Sequence, residues 1–177
     1  MLRIILIVVV SFLFLFQGFH FLEHGIQLGA WIGGFNNMPY MTPWATEIVW
    51  RLGEWLVPGE EDYHRIFKLG VEYLHLVGNI LFLIGIGGLW ILNRSRYVKY
   101  AFWFQVIHVF EHVMLFASTY YVHQSIGMST LFGYFQPYGT DVYDQVALTT
   151  FRVWWHFIAN LIPSVLILFC AKKLFKK

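Results

Sequence analysis

The chain has 177 residues, of which 58% are hydrophobic, 20% aromatic and only 12% charged. Soluble domains are nearer roughly 45–50% apolar and 25% charged, so a mean hydropathy of +0.59 excludes an ordinary water-soluble globule, a disordered tail and a nucleic-acid binder. A single cysteine, Cys170, excludes a disulfide framework and a thiolate-rich metal site.

A bilayer core about 30 Å thick is crossed by roughly 20 mostly apolar helical residues. The first stretch without Asp, Glu, Lys or Arg runs from Ile4 to Leu22, and its apolar pattern continues to about Trp31. Met1-Leu2-Arg3 ahead of an apolar run has the look of a signal peptide. The run is longer than a usual h-region, and no small-x-small cleavage site follows, so it reads as a span. Next, Thr42-Pro43-Trp44-Ala45-Thr46-Glu47 reads as a helix start, with Thr42 as cap and Pro43 at the first position. Ile48, Val49, Leu52, Trp55 and Leu56 recur at helical spacing, and Pro58-Gly59 ends the element. This predicts a short amphipathic helix on the outer interface, and the same pattern fits a lid over a site beneath. A second span covers Tyr73–Asn93, a third Tyr100–Tyr121, interrupted by Glu111, and a fourth Val153–Ala171. The loop over about 123–148 holds Gly127, Gly133, Pro137 and Gly139 among aromatic residues, without clear periodicity. The expectation is an all-α integral membrane protein, one domain over 1–177, folded as a four-transmembrane-helix bundle.

Charge placement orients it. Arg3, Arg94, Arg96, Lys99, Lys172, Lys173, Lys176 and Lys177, eight of the 12 Lys and Arg, flank one side without an acidic companion. Glu47, Glu54, Glu60, Glu61, Asp62, Asp141 and Asp144 lie with Arg51, Arg65, Lys68 and Arg152 on the other. The positive-inside rule then assigns both termini to the cytoplasm. The loops over about 32–65 and 123–148 face outward.

The spans repeat their polar residues. Phe16-Gln17-x-x-His20-x-x-Glu23-His24 in the first matches Phe104-Gln105-x-x-His108-x-x-Glu111-His112 in the third. His75-x-x-x-Asn79-Ile80 in the second matches His156-x-x-x-Asn160-Leu161 in the fourth. The chain therefore reads as two parallel copies of a helical hairpin, repeat 1 over 1–93 and repeat 2 over 97–173. Side chains three and four apart share a helix face, so each Gln-His-Glu-His set points one way. His20 lies 17 residues from Arg3, His156 lies 17 from Lys173, and His75 lies 19 from Arg94. His108, only 9 residues from Lys99, fits the common depth least well.

Ionisable groups inside a bilayer are costly when unpaired, and as a rule they face the bundle interior and carry function. Six imidazoles with carboxylates in one layer need compensation, and a metal ion supplies it. The candidate ligands are His20, Glu23, His24, His75, His108, Glu111, His112 and His156. Gln17, Glu72, Asn79, Gln105 and Asn160 are expected to hydrogen-bond these ligands and fix ring orientation. Iron is the first choice of metal, with manganese, zinc or copper as alternatives, in a non-haem site of one or two ions. Four-helix di-iron carboxylate proteins use Glu-x-x-His on paired helices. Among the repeated intramembrane histidines only His75, in Glu72-x-x-His75, has that spacing, so the chemistry is comparable and the family is not.

The expected function is a metal-dependent oxidoreductase acting on a lipophilic or small substrate. Alternatives are haem binding with electron transfer, cation or proton transport, and a subunit of a larger membrane complex. Expected partners are membrane lipid and either other membrane subunits or further copies of the chain, and no nucleic acid. A hydrogen-bonded packing network without metal is the plainest alternative. His64 and His123 fall outside the repeat and are expected at the solvated interface. Trp44, Trp50, Trp55, Trp154 and Trp155 read as an aromatic belt, Glu60-Glu61-Asp62 as a solvated loop, and Cys170 as structural.

Overall fold

A computed structural model describes residues 2–33, 42–129 and 145–174. Among the described residues there are five helices and no strand. They are α1 (Leu2–Ile32), α2 (Pro43–Leu56), α3 (Tyr63–Leu92), α4 (Arg96–Val122) and α5 (Gln145–Leu174). All but α2 are long and apolar enough to cross a membrane, which is the build of a membrane protein.

The short helix α2 starts and stops where Pro43 and Pro58-Gly59 predict, although Thr42 does not cap it with its side chain. Gly59, at φ +83°, makes the turn that follows, a conformation glycine adopts without Cβ strain. The third helix begins ten residues before the expected Tyr73, because a span's charge-free core is shorter than the helix containing it. Asp62 caps its start, accepting from the backbone of His64 at 3.0 Å and Arg65 at 3.4 Å. That acidic residue is therefore a helix cap as well as a loop residue. Ser95 caps α4 in the same way, through the Tyr97 N–H at 3.3 Å.

The long helices form a ring. Helix α1 packs on α3 and α5, and α4 packs on the same two, so α1 stands diagonal to α4 and α3 diagonal to α5. Helix α2 lies against α3 at very close range. A Cβ on Gly53 would stand 2.0 Å from the Ile66 carbonyl oxygen, and one on Gly70 would stand 1.9 Å from that of Val49. Only glycine permits backbones this close. Phe12, Leu15, Phe19 and Leu22 of α1 point outward, as a lipid-facing surface requires.

Buried side chains stack in layers along the bundle. At the α3–α4 turn, Phe82, Ile86, Val98, Ala101 and Cys170 form an apolar core. Cys170 Sγ there accepts from Asn93 Nδ2 at 2.9 Å, a structural role. Next come buried Gln17, Asn79, Gln105 and Asn160, then the histidines, and then Glu72 and Glu111 toward the end where α3 begins and α4 ends. The apolar core closes one end, and the buried histidines and glutamates lie beyond it.

Candidate metal centre

Six histidines from all four long helices meet in one cluster. His20 and His24 come from α1, His75 from α3, His108 and His112 from α4, and His156 from α5. Neighbouring ring centroids lie between 4.6 Å (His20–His24) and 5.9 Å (His75–His156). The cluster resolves into two trios. His20, His24 and His75 each offer one ring nitrogen within 4.8 Å of the others, and His108, His112 and His156 do the same. These six sequence-predicted residues are thus brought together, including His108.

Contacts recur at the positions that the sequence repeats. Nε2 of His24 faces Nε2 of His20 at 3.2 Å, and Nε2 of His112 faces Nε2 of His108 at 3.2 Å. His24 lies parallel to His156 within 13° at 5.7 Å, and His75 to His112 within 13° at 5.5 Å. Beneath the rings, Gln17 Nε2 donates to Asn160 Oδ1 at 2.7 Å and Gln105 Nε2 to Asn79 Oδ1 at 2.8 Å. Each asparagine donates in turn to the carbonyl of the histidine four residues earlier, His75 at 2.9 Å and His156 at 2.8 Å. These amides join helices from different halves of the chain and brace the backbone that carries His75 and His156.

Ring orientation is set locally. Nδ1–H of His75 donates to the Val71 carbonyl at 2.8 Å, so its lone pair sits on Nε2. Nδ1 of His24 pairs with Gln27 Oε1 at 3.1 Å, which makes it the protonated nitrogen and Nε2 the basic one. Gln27 carried no role in the sequence reading, yet its signal was present: it stands three residues after His24, on the same face. Among the described residues, Nδ1 of His108 and of His112 are buried without a hydrogen-bond partner, as are Oε1 of Gln17 and of Gln105.

The carboxylates turn elsewhere. Glu23 accepts from Thr42, through the backbone N–H at 3.1 Å and the hydroxyl at 3.1 Å. Glu111 accepts from the backbone N–H groups of Met128 and Ser129 and from the Ser129 hydroxyl. Gly127 lets that loop close, since a Cβ there would stand 2.8 Å from Glu111 Oε1. Glu72 accepts from Ser125 Oγ at 3.3 Å, which is joined to Thr119 Oγ1 at 2.8 Å. Among the described residues, Glu23 and Glu111, expected as ligands beside the histidines, fall outside both converging trios. Each carboxylate is engaged by loop donors instead: Glu23 by the N–H and hydroxyl of Thr42, just before α2, and Glu111 by Met128 and Ser129, beyond the end of α4.

His64 and His123 stand apart, as expected: His64 lies in the first turn of α3, and His123 ends α4 in a left-handed conformation at φ 61°. Asp141 and Asp144 lie outside the described residues.

No curated protein and no solved structure matches the chain. A family profile does, over residues 2–177, and on that match the chain belongs to the family described as DUF6008, a family of unknown function.

Proposed function

We propose that this is a membrane metalloprotein that binds two metal ions, one in each histidine trio, and works as an oxidoreductase on a small or lipophilic substrate. The observation that carries this reading is the pair of trios, each with three ring nitrogens within 4.8 Å of one another. Two nitrogen ligands about 2.1 Å from a shared tetrahedral ion stand about 3.4 Å apart, close to the 3.2 Å between paired Nε2 atoms in both trios.

With Glu23 and Glu111 engaged by the loops, the donor set is all imidazole, which suits copper, zinc and iron. Reduced copper brings the least charge into the bundle and therefore carries the smallest desolvation cost. Iron stays the first choice, since the cluster lacks the Cys and Met ligands that select reduced copper, and a redox-active pair would supply one-electron and dioxygen chemistry. Ring packing at 4.6–5.9 Å favours ions over a haem, whose macrocycle needs a slot between its axial ligands. The apolar layer of Phe82, Ile86 and Val98 opposes a transport path through the bundle.

The recurring contacts support a duplicated hairpin with diagonal helices related by an axis along the membrane normal. The arrangement of basic residues supports cytoplasmic termini. Exposed Trp44 and Trp55 on α2 support a helix seated at the outer interface. Lipid, and either further subunits or copies of the chain, are the partners this reading carries forward.

Elemental analysis with an optical spectrum of detergent-purified protein tests the reading. Two equivalents of iron or another transition metal without a Soret band support it. Folded protein that stays metal-free after reconstitution removes it.

A further inference from the structure

The two trios match in their ligands and differ in what supports them. In the first, Nδ1 of His24 pairs with Gln27 Oε1 at 3.1 Å and Nδ1 of His75 with the Val71 carbonyl at 2.8 Å. In the second, Nδ1 of His108 and Nδ1 of His112 are buried without a hydrogen-bond partner among the described residues. For His112 the sequence carries the reason. Continuing the match of His24 with His112 by three residues sets Gln27 against Leu115. Both positions are buried, Gln27 at 8% exposure and Leu115 at 0%. One half therefore supplies an amide oxygen one turn beyond its histidine, and the other supplies hydrocarbon.

This difference bears on metal affinity. Nε2 of His24 faces Nε2 of His20, and Nε2 of His112 faces Nε2 of His108, each at 3.2 Å, so Nε2 is the nitrogen these rings turn toward a shared ion. A ring that binds metal through Nε2 carries its proton on Nδ1. An acceptor for that proton fixes the tautomer and the ring orientation and makes Nε2 a stronger donor to the metal. Loss of such a partner ordinarily costs roughly 10–100-fold in metal affinity. His24 and His75 have their acceptors in place. His108 and His112 would each bury an N–H that nothing accepts.

Resting on the two-ion reading above, we propose that the trios are unequal metal sites. His20/His24/His75 is the tight site and His108/His112/His156 the weak one, and Gln27 is a positioning residue that sets them apart. The trios are neighbours: His75 lies 5.5 Å from His112 and His24 lies 5.7 Å from His156, ring centroid to ring centroid. An ion in the first trio therefore also repels an ion entering the second. At limiting metal the chain holds one ion, in the first trio. Filling the second trio completes the pair, so metal supply switches on any reaction that needs both ions.

Iron(II) is the probe, titrated anaerobically into detergent-purified protein against a competing chelator. Variants with one trio each remove the repulsion between ions: His112→Ala keeps the first trio and His24→Ala the second. The first trio should bind roughly 10–100-fold more tightly. Gln27→Leu in the His112→Ala background should erase most of that advantage, and Leu115→Gln in the His24→Ala background should strengthen the second trio. Gln27→Leu combined with His24→Ala should leave the second trio's affinity unchanged, which a general loss of packing would not. Equal affinities in the two one-trio variants, or a tighter second trio, overturn the proposal and leave the two-ion reading standing. So does a Gln27→Leu variant that keeps both its helicity and its full affinity. Should that variant fail to fold, an unchanged second trio in Leu115→Gln overturns the role of the amide instead. Wild type that binds neither iron(II) nor another transition metal overturns the metal reading itself and the proposal with it.

Discussion

Gln17 donates a 2.7 Å hydrogen bond to Asn160, joining residues 143 apart in sequence one layer below the histidines. Gln105 and Asn79 make the matching bond at 2.8 Å, and both asparagines are 0% exposed. Breaking one partner leaves a buried amide short of a hydrogen bond, while replacing both removes the demand. Double-mutant cycles with Leu at Gln17 and Asn160, and at Gln105 and Asn79, should each give a coupling of roughly 0.5–2 kcal/mol. Unfolding titrations in detergent check this. A coupling present in one pair and absent in the other would contradict their structural equivalence.

Metal content tests the assignment of ligands to trios. His24 belongs to one trio and His112 to the other, at equivalent repeat positions. His24→Ala and His112→Ala should each remove about one of the two ions, and the double variant both, since each loses one of three ligands. His64→Ala and His123→Ala should leave metal content unchanged, because both residues lie outside the cluster. Elemental analysis on the purified variants decides it. Loss of all metal from either single variant would mean that the six rings hold one shared ion.

Glu111 distinguishes a loop anchor from a metal ligand. It is 0% exposed and receives hydrogen bonds from two backbone N–H groups and one hydroxyl. Glu111→Ala should cost roughly 2–3 kcal/mol, since hydrogen bonds to a charged group are the stronger kind and the loop donors lose their acceptor. Metal content should survive. Protease accessibility of the segment around Met128 should rise in parallel. A variant that keeps its loop protected but drops an ion would return Glu111 to the ligand set.

The contrast between histidines and glutamates shows what the chain made legible. Polar residues inside apolar spans stand out, and helical spacing alone puts His20 with His24 and His108 with His112 on shared faces. The repeat then supplies His75 and His156. A carboxylate beside a histidine in sequence sits about 100° around the helix from it. Nothing local announces that Glu23 will meet Thr42, 19 residues on, or Glu111 meet Ser129, 18 residues on. The contacts of Gly53 and Gly70 were likewise hidden, because a helical glycine in sequence says only that a side chain is missing.

Acid should loosen the turn between α2 and α3. Hydrogen bonding from the Asp62 backbone N–H, followed by the Arg65 side chain, holds the Glu60 carboxyl below its ordinary value of 4.5. Arg65 also donates to the Tyr120 carbonyl at 3.3 Å, so the same residue ties this turn to the end of α4. A carboxyl whose folded pKa is depressed contributes its full stabilisation above the unfolded value and loses it as pH falls through the folded one. Proteolysis near Glu60 should therefore be flat down to about pH 4.5 and rise below it. Glu60→Gln should abolish that rise. A profile that the variant leaves unchanged would assign the acid sensitivity to another group.

The glycine contacts give the strongest expected loss of stability away from the histidines. At Gly53 a Cβ would enter the Ile66 carbonyl and at Gly70 that of Val49, both at about half an ordinary contact distance. Backbone carbonyls cannot rotate aside as a flexible side chain does, so α2 must move away from α3 to admit a methyl. Overpacking of this kind costs roughly 1–3 kcal/mol or more. It opposes the roughly 0.5–1 kcal/mol that Gly→Ala ordinarily gains inside a helix. Gly18, Gly25 and Gly29 of α1 meet nothing within 4 Å and supply the control. Gly53→Ala and Gly70→Ala should therefore lower the midpoint of thermal unfolding, while Ala at the three α1 positions should leave it unchanged or raise it. Because α2 follows directly from Thr42, the partner of Glu23, the two destabilised variants should also become more open to protease at the start of α2. Equal behaviour of all five variants would mean that α2 does not hold this close seat on α3 in the membrane.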